Sequence, residues 1–215
     1  MWSERIFCLL IVGLGGSALL VNSGLLRGRW CTGMFVYYTN LSNLLMVVYH
    51  ALLLAAGFAP AGGLYRALAW GPVRLCAAVC ITVTHLIYHF NLVPYYKKHD
   101  PQFFEHGFYT YGNLNVHYIV PWLCVLCWVF TADKAVAWWA AALWLVLPIS
   151  YTVFAVVRGK HGGPINGKPD GERYPYPFLD IDTLGAAGFA KNLVLYSVGF
   201  FLLGLAFVGL AALLK

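Results

Sequence analysis

The sequence is poor in charge. Asp, Glu, Lys and Arg together make up 10% of its 215 residues, whereas 61% are hydrophobic and 17% are aromatic, and the mean hydropathy is +0.71. A water-soluble domain could not cover so much apolar surface with so few charges. The composition therefore predicts an integral membrane protein without a separate soluble domain. The net charge of +6 is spread over short loops, so it indicates membrane topology and lipid headgroups rather than nucleic-acid binding.

Internal repeats and a redox-active cysteine motif are also missing. No internal repeat is apparent, which argues against a transporter built from inverted repeats. Five of the six cysteines lie in apolar runs, where a free thiol behaves as a small hydrophobe. Cys124 and Cys127 have redox spacing but lack a flanking βαβ pattern, so we interpret them as packing residues, and Cys31 alone could lie near solvent.

The chain contains six long hydrophobic runs. Each is about as long as the 20 residues that cross a bilayer. We predict an all-α bundle of six transmembrane helices, one domain over residues 1–215, with the overlong last span tilted. The first run is too long for a signal-peptide core and is interpreted as a retained span. The predicted spans are 6–26, 34–58, 72–93, 114–131, 135–157 and 185–214.

Six crossings define two faces of the bundle. We call face A the side that carries the connectors after spans one, three and five, and face B the opposite side. Face B carries Arg5, Arg66, Arg74, Lys134 and Lys215, and face A carries Arg27, Arg29, Lys97, Lys98, Arg158, Lys160, Lys168, Arg173 and Lys191. The excess of Lys and Arg predicts that face A is cytoplasmic.

Unusual polar residues collect at the face A ends of three spans. They are Thr39, Asn40, Ser42 and Asn43 on span two, His85, His89 and Asn91 on span three, and Asn113, Asn115 and His117 on span four. Within a bilayer such groups need hydrogen-bonding partners, so they usually face neighbouring helices or a water-filled cavity. Because they lie at similar depths, we expect them to share a site.

Thr39 and His117 could form a nucleophile and its base. A threonine hydroxyl is weakly nucleophilic unless a nearby base takes its proton. Pro121 lacks the N–H that would donate to the carbonyl of His117 in a regular helix. The helix is therefore loosened at His117, and a histidine beside such an unpaired carbonyl is well placed for proton transfer. Asp180 could orient the imidazole. An oxyanion would need donors, for which the candidates are Asn40, Asn43, Asn113 and Asn115. The alternative is that His117 has a structural role and only forms hydrogen bonds between helices.

His85 and His89 support a competing hypothesis. Their i, i+4 spacing would let them share a metal ion, with His117 or Asp180 completing a zinc site. The H-E-x-x-H pattern is absent, however, because Leu86, Ile87 and Tyr88 lie between them. The alternative is that these two histidines have a structural role or relay protons.

The fifth connector, 158–182, has two parts. Its beginning is turn-rich and is predicted to be mobile. Its end alternates aromatics with prolines through Tyr174, Tyr176 and Phe178, so it cannot be a regular helix. We predict a rigid lid over the substrate site, and the alternative is an aromatic anchor at the membrane interface.

Three short pieces resemble a known family. They are Tyr38-Thr39 at the start of span two, His117-Tyr-Ile-Val-Pro121 in span four, and Tyr176-Pro-Phe-Leu-Asp180 before span six. In this order they are similar to the androgen-induced gene family, which includes the androgen-dependent TFPI-regulating protein and bacterial six-helix relatives. Two departures stand out: Ser42 occupies a position where the family has an acid, and Pro121 follows the histidine one residue sooner than in the animal proteins.

The resemblance implies a function. The animal members are membrane threonine hydrolases that cleave fatty acid esters of hydroxy fatty acids, which implies Thr39 as nucleophile and His117 as catalytic histidine, with no cofactor. It further implies a lipid-ester or fatty-acyl substrate, membrane lipids as partners and the inner membrane of a bacterium as the location. Ser42 is a second candidate nucleophile. A non-enzymatic lipid or small-molecule carrier and a metal-dependent membrane enzyme remain the alternatives.

Overall fold

A computed structural model describes residues 2–100, 102–165 and 171–215. Within these ranges there is no β-strand, and six helices are long and apolar enough to cross a membrane, which confirms the predicted all-α architecture. We number them α1 (Trp2–Asn22), α2 (Tyr38–Ala56), α3 (Gly71–His99), α4 (Tyr111–Thr131), α5 (Ala140–His161) and α6 (Ile181–Leu213). The predicted turn-rich stretch at 166–170, which contains Lys168, lies outside the described residues.

The first four helices form the centre of the bundle. α1 packs along α2 and α4, and α3 packs against both α2 and α4, around a core that includes Ile11, Met46 and Val120. α6 packs against α3 and the start of α5, where Trp128 and Trp144 belong to a second core. Most of α6 remains outside these contacts, which suits a helix that faces lipid.

Several span boundaries differ from the prediction. α1 ends at Asn22 because Gly24 adopts a left-handed conformation with φ 74°, and two short 3-10 helices follow before α2 begins. The fifth span begins at Ala140 rather than at 135. Here the Lys134 ammonium donates hydrogen bonds to the carbonyls of Trp128, Val129 and Ala132. This cap terminates α4, and the next five residues form the turn.

Two of the spanning helices contain a π-helical segment near face A. The segments are Tyr88–Leu92 in α3 and Asn115–Ile119 in α4. A proline is the second residue after the end of each segment, at Pro94 and Pro121. Because proline has no N–H for the usual i→i−4 bond, the local hydrogen bonding shifts to i→i−5. The resulting change of register alters which side chains point into the bundle.

The end of the fifth connector folds against the bundle instead of extending from it. Tyr176 and Leu179 join a buried aromatic cluster with Tyr88 and Leu92. α6 then begins at Ile181, four residues before the predicted span, and its helical geometry is interrupted at Gly185, which has φ 66°. The connector therefore covers the face A ends of α2, α3 and α5.

Candidate functional site

Thr39 and His117 meet at the face A end of the bundle. Thr39 lies in the first turn of α2, and His117 lies in the π segment of α4. The Thr39 hydroxyl Oγ1 is 3.3 Å from His117 Nε2. Thr39 is 8% exposed, so the pair is shielded from bulk solvent. The structure thus brings together the hydroxyl and the imidazole that were predicted as nucleophile and base.

The other ring nitrogen of His117 defines which tautomer faces Thr39. His117 Nδ1 lies 3.0 Å from the backbone carbonyl oxygen of Asn113. A carbonyl can only accept, so Nδ1 carries the proton and donates it. In the neutral imidazole, Nε2 is then an unprotonated acceptor for the Thr39 O–H. This is the arrangement that a general base requires.

Further contacts fix the position of the His117 ring and backbone. The ring of Tyr88 stacks on the imidazole with centroids 3.5 Å apart and planes 14° apart. The backbone carbonyl of His117, which Pro121 deprives of its usual helical donor, accepts a hydrogen bond from His85 Nδ1 at 2.9 Å. His85 therefore replaces the helical donor that the proline lacks. Stacking by Tyr88 fixes the His117 ring, and the hydrogen bond from His85 fixes the His117 backbone.

Asn43 connects the two helices that carry the pair. Its side-chain amide donates to the carbonyl of Thr39 at 2.8 Å and to the carbonyl of Val116 at 3.0 Å. An asparagine has two N–H donors, and both are used here. Asn43 was predicted as an oxyanion donor, but its contacts make it a fully buried bridge between α2 and α4.

The remaining predicted oxyanion donors are also engaged in local contacts. Asn113 donates to the Tyr88 hydroxyl at 2.6 Å and to the Phe108 carbonyl at 2.9 Å. Asn115 donates to the carbonyl of Tyr111, one turn earlier in its own helix, and Asn40 donates to the carbonyl of Met34. Asn43 and Asn113 thus use both amide N–H groups, whereas Asn40 and Asn115 each use one.

Ser42 and Asp180 lie away from the imidazole nitrogens. The Ser42 hydroxyl contacts Thr84 Oγ1 at 2.8 Å and donates to the Thr39 carbonyl, so it belongs to the interface with α3. The Asp180 carboxylate caps α6 by accepting from the backbone N–H groups of Asp182 and Thr183. The predicted role of orienting His117 is filled by the Asn113 carbonyl, because Asp180 is committed to the N-terminus of α6.

The aromatic segment of the connector packs into the structure. Tyr174 is 5% exposed, lies against Gly159 and donates from its hydroxyl to Asp182. Tyr176 is 6% exposed, and its ring stacks parallel to that of Phe178 at 5.2 Å. The Tyr176 hydroxyl accepts a hydrogen bond from the backbone N–H of Thr39 at 3.4 Å. These burials do not fit an anchor that reaches into the headgroup layer, whereas a cover over the site is consistent with them.

Two cavities meet at Thr39. The first, which we call the apolar groove, has about 760 Å³ of empty space between α3, α5 and α6. The second, the polar cavity, has about 700 Å³ and is lined by His117, Asn40 and Asn113 among others. Thr39 and Tyr176 line both cavities, as do Tyr88 and Leu92. Thr39 therefore lies at the junction of an apolar and a polar space.

His85 and His89 do not gather further metal ligands. Their rings are 5.9 Å apart, His85 Nδ1 donates to the His117 carbonyl, and His89 Nδ1 lies 3.1 Å from the Tyr118 hydroxyl. Among the described residues, no three His, Cys, Asp or Glu side chains are grouped so that they could hold a metal ion. The contacts of His85 favour the structural interpretation of this pair.

Sequence reasoning missed two contributions to this site. One is the stacking of Tyr88 on His117, and the other is the contact of the Tyr176 hydroxyl with Thr39. The repeated aliphatic-Val-Pro pattern at 92–94 and 119–121 was a usable signal for the two π segments.

The assembled site can accept a proton from a buried hydroxyl next to an apolar groove. No family model, curated protein or solved structure matches the chain.

Proposed function

We propose that this protein is a membrane lipid-ester hydrolase that works through an acyl-threonine intermediate. The observation that carries the proposal is the 3.3 Å contact between Thr39 Oγ1 and the unprotonated Nε2 of His117. It lies where the apolar groove joins the polar cavity. The resemblance of the segments around Thr39 and His117 to membrane threonine hydrolases supports the same assignment.

The cavities suggest how an ester would be held. The apolar groove suits a fatty-acyl chain, because most of its lining consists of aliphatic and aromatic side chains, from α3, α5, α6 and the connector. The ester carbonyl would then lie at Thr39, and the alcohol part would extend into the polar cavity. The substrate class is therefore an ester with a long acyl chain and a more polar alcohol portion.

The reaction would proceed in two halves. In the first, His117 Nε2 takes the Thr39 hydroxyl proton as Oγ1 attacks the ester carbonyl carbon. The tetrahedral intermediate collapses, the alcohol leaves with the proton returned by His117, and the acyl group stays on Oγ1. In the second half, His117 takes a proton from water, whose oxygen attacks the acyl carbon. Collapse then releases the fatty acid and restores the Thr39 hydroxyl.

The start of α2 favours the charge that develops in both halves. Thr39 lies in the first turn of the helix, where backbone N–H groups have no partner within the helix. The positive end of the helix dipole therefore lies beside the nucleophile and stabilises negative charge there. The resemblance supports a location in the inner membrane of a bacterium, and the excess of Lys and Arg supports a cytoplasmic face A.

A fluorophosphonate probe tests the proposal. The wild-type protein in detergent should be labelled covalently at Thr39, identified by peptide mass spectrometry. Thr39→Ala should abolish the label, Thr39→Ser should retain it, and His117→Ala should slow labelling by about 10² to 10⁴-fold. Ser42→Ala is the matched control and should label normally, because the Ser42 hydroxyl faces Thr84 rather than His117.

The alternatives have distinct outcomes in the same preparation. A wild-type protein that binds a fluorescent fatty acid but shows no labelling and no ester hydrolysis would be a lipid carrier, for which the apolar groove is the supporting feature. Labelling that persists in Thr39→Ala and disappears in Ser42→Ala would transfer the nucleophile to Ser42. Either result would overturn the proposed mechanism.

A further inference from the structure

A tetrahedral intermediate on Thr39 needs a hydrogen-bond donor for its oxyanion. Such donors work when they are positioned in advance, about 2.7–3.1 Å from where the oxyanion forms. Asn43 and Asn113 have used both amide N–H groups on backbone and tyrosine oxygens. Asn115 lines neither of the two cavities that meet at Thr39. Asn40 donates to the Met34 carbonyl and lines the polar cavity but not the apolar groove. A donor on the groove side of Thr39 must therefore be sought among other groups.

The Tyr176 hydroxyl is the group that the structure places there. Its oxygen accepts the hydrogen bond from the Thr39 backbone N–H at 3.4 Å. Because that bond uses the oxygen as acceptor, the phenolic proton is still available for donation. Accepting a bond from an N–H also polarises the O–H and makes it a better donor.

Tyr176 lies on the side from which an acyl carbonyl would approach. It lines both the apolar groove and the polar cavity, whereas His117 lines only the polar cavity. An ester whose chain occupies the groove would therefore bring its carbonyl past Tyr176 as it reaches Thr39. Base and donor would then act from different sides of the reacting carbon.

The tyrosine is held firmly enough to act as a prepared donor. Its ring stacks on Phe178 and contacts the edge of Tyr37, with centroids 5.2 and 6.1 Å apart. Pro175 and Pro177 flank it and restrict the backbone. Burial raises the pKa of Tyr176, while its hydrogen bonds with Thr39 act in the opposite direction, so the hydroxyl remains protonated at neutral pH.

We propose that Tyr176 is a catalytic residue whose hydroxyl donates a hydrogen bond to the oxyanion formed during attack by Thr39. The inference rests on the proposed hydrolase function and adds to it a second role for the connector. The aromatic segment would cover the site and also complete it. A lid that carries the oxyanion donor would couple closure over the substrate to catalysis.

Tyr174 provides a matched control. It lies two residues before Tyr176 in the same connector and is equally buried, at 5% exposed against 6%. Its hydroxyl donates to the Asp182 carboxylate at 2.9 Å, and it lines neither of the two cavities that meet at Thr39. Removal of the Tyr174 hydroxyl therefore tests general damage to the connector, whereas only removal of the Tyr176 hydroxyl should affect the oxyanion.

The experiment compares Tyr176→Phe with Tyr174→Phe on a p-nitrophenyl ester of a long-chain fatty acid. We expect Tyr176→Phe to lower kcat by about 10² to 10³-fold with KM changed by less than about threefold, as for other lost oxyanion donors. It should also weaken binding of a long-chain trifluoromethyl ketone, which mimics the tetrahedral intermediate, by a similar factor. Binding of the corresponding fatty acid should not change. Tyr174→Phe should stay within a few-fold of the wild type in all of these measurements.

The outcomes separate this inference from the proposed function. A wild-type protein that neither hydrolyses the ester nor reacts with the fluorophosphonate would refute the hydrolase itself. A wild-type enzyme whose Tyr176→Phe variant folds and keeps its kcat would refute only the role of Tyr176, as would an equal effect of Tyr174→Phe. If Tyr176→Phe does not fold, fluorotyrosine incorporated at position 176 decides the matter. The more acidic phenol should change kcat and ketone affinity together, and an unchanged kcat would overturn the assignment.

Discussion

The two ends of the bundle each bury a polar cluster, and the clusters differ in their charge and in the size of the cavities beside them. At the face B end, Arg74 forms a buried ion pair with Glu4 and donates to Thr131, and Tyr65 donates to the same carboxylate. The cavity beside this cluster has about 250 Å³ of empty space. At the face A end, a hydroxyl faces an unprotonated imidazole nitrogen beside two cavities of about 700 and 760 Å³.

Under the proposed function, the difference separates stability from reactivity. Unpaired polar atoms do not distinguish the two ends, because the six buried side-chain atoms without a hydrogen-bond partner in the described residues are the carbonyl oxygens of Asn40, Asn43 and Asn115, Arg74 Nε, and the indole nitrogens of Trp128 and Trp144. The backbone does distinguish them. The π segments lie in the face A halves of α3 and α4, whereas the halves toward face B are regular α-helix. Irregular helical structure is typical of functional sites.

The largest expected effect on stability comes from breaking the face B ion pair. Arg74→Ala leaves the Glu4 carboxylate buried without its cation, which should cost about 3–5 kcal/mol of unfolding free energy. Thermal and denaturant unfolding in detergent would measure it. The rate of Thr39 labelling, corrected for the folded fraction, should change by less than about threefold because the two clusters share no residue.

A double variant is the control for that prediction. Glu4→Leu combined with Arg74→Leu removes both charges and should recover most of the lost stability, since no uncompensated charge remains buried. Loss of labelling in fully folded Arg74→Ala would show that the two ends are coupled. The contrast between a structural end and a reactive end would then be invalid.

The next largest effect should come from making α4 regular. Pro121→Ala restores an N–H that can bond the His117 carbonyl, which His85 now occupies. Loss of the π segment would rotate His117 away from Thr39, and a displacement of about 1 Å can cost about 10²-fold in rate. We expect slower labelling of Thr39 with an unchanged or higher melting temperature.

Pro72→Ala is the matched control for Pro121→Ala. Pro72 lies in the first turn of α3, where a backbone N–H has no helical acceptor, so the added donor should change neither stability nor labelling by much. A Pro121→Ala variant that labels as fast as the wild type would mean that the π segment does not position the histidine.

An intermediate effect is expected from the bridge between α2 and α4. Asn43→Leu leaves the carbonyl of Val116 without its donor and should cost about 1–3 kcal/mol, with slower labelling because Thr39 and His117 are no longer tied together. Asn115→Leu is the comparison, since Asn115 donates to Tyr111 within its own helix. Equal slowing in both variants would indicate a general loss of packing instead of a lost bridge.

The sequence predicts the architecture well because its strongest signal is hydrophobic length. Six apolar runs define six helices, and polar residues within apolar runs indicate which end of the bundle is functional. The break before α5 was missed because Ala135, Val136 and Trp138 are as apolar as a helix interior. What ends α4 there is a lysine that caps three carbonyls, and hydropathy does not detect such a cap.

The details of the site were harder to predict because they depend on contacts between distant positions. Thr39 and His117 are 78 residues apart, and Thr39 and Tyr176 are 137 apart. Predictions that assume 3.6 residues per turn cannot place a side chain that follows a π segment. For the same reason, four asparagines looked equivalent as donors in the sequence, although the structure commits Asn43 and Asn113 completely.

The smallest expected effects concern His85 and His89 of α3, and they test whether face A also holds a metal. His85→Phe removes the donor to the His117 carbonyl but keeps a ring against Tyr118 and Trp122, so it should cost about 0.5–1.5 kcal/mol. His89→Phe, at an exposed position, should stay within about 0.5 kcal/mol of the wild type. Unfolding in detergent gives these values, and elemental analysis of the purified protein gives the zinc content. If the wild-type protein contains stoichiometric zinc and both variants lose it, His85 and His89 are metal ligands. His85 would then act by binding the metal and not by supporting His117.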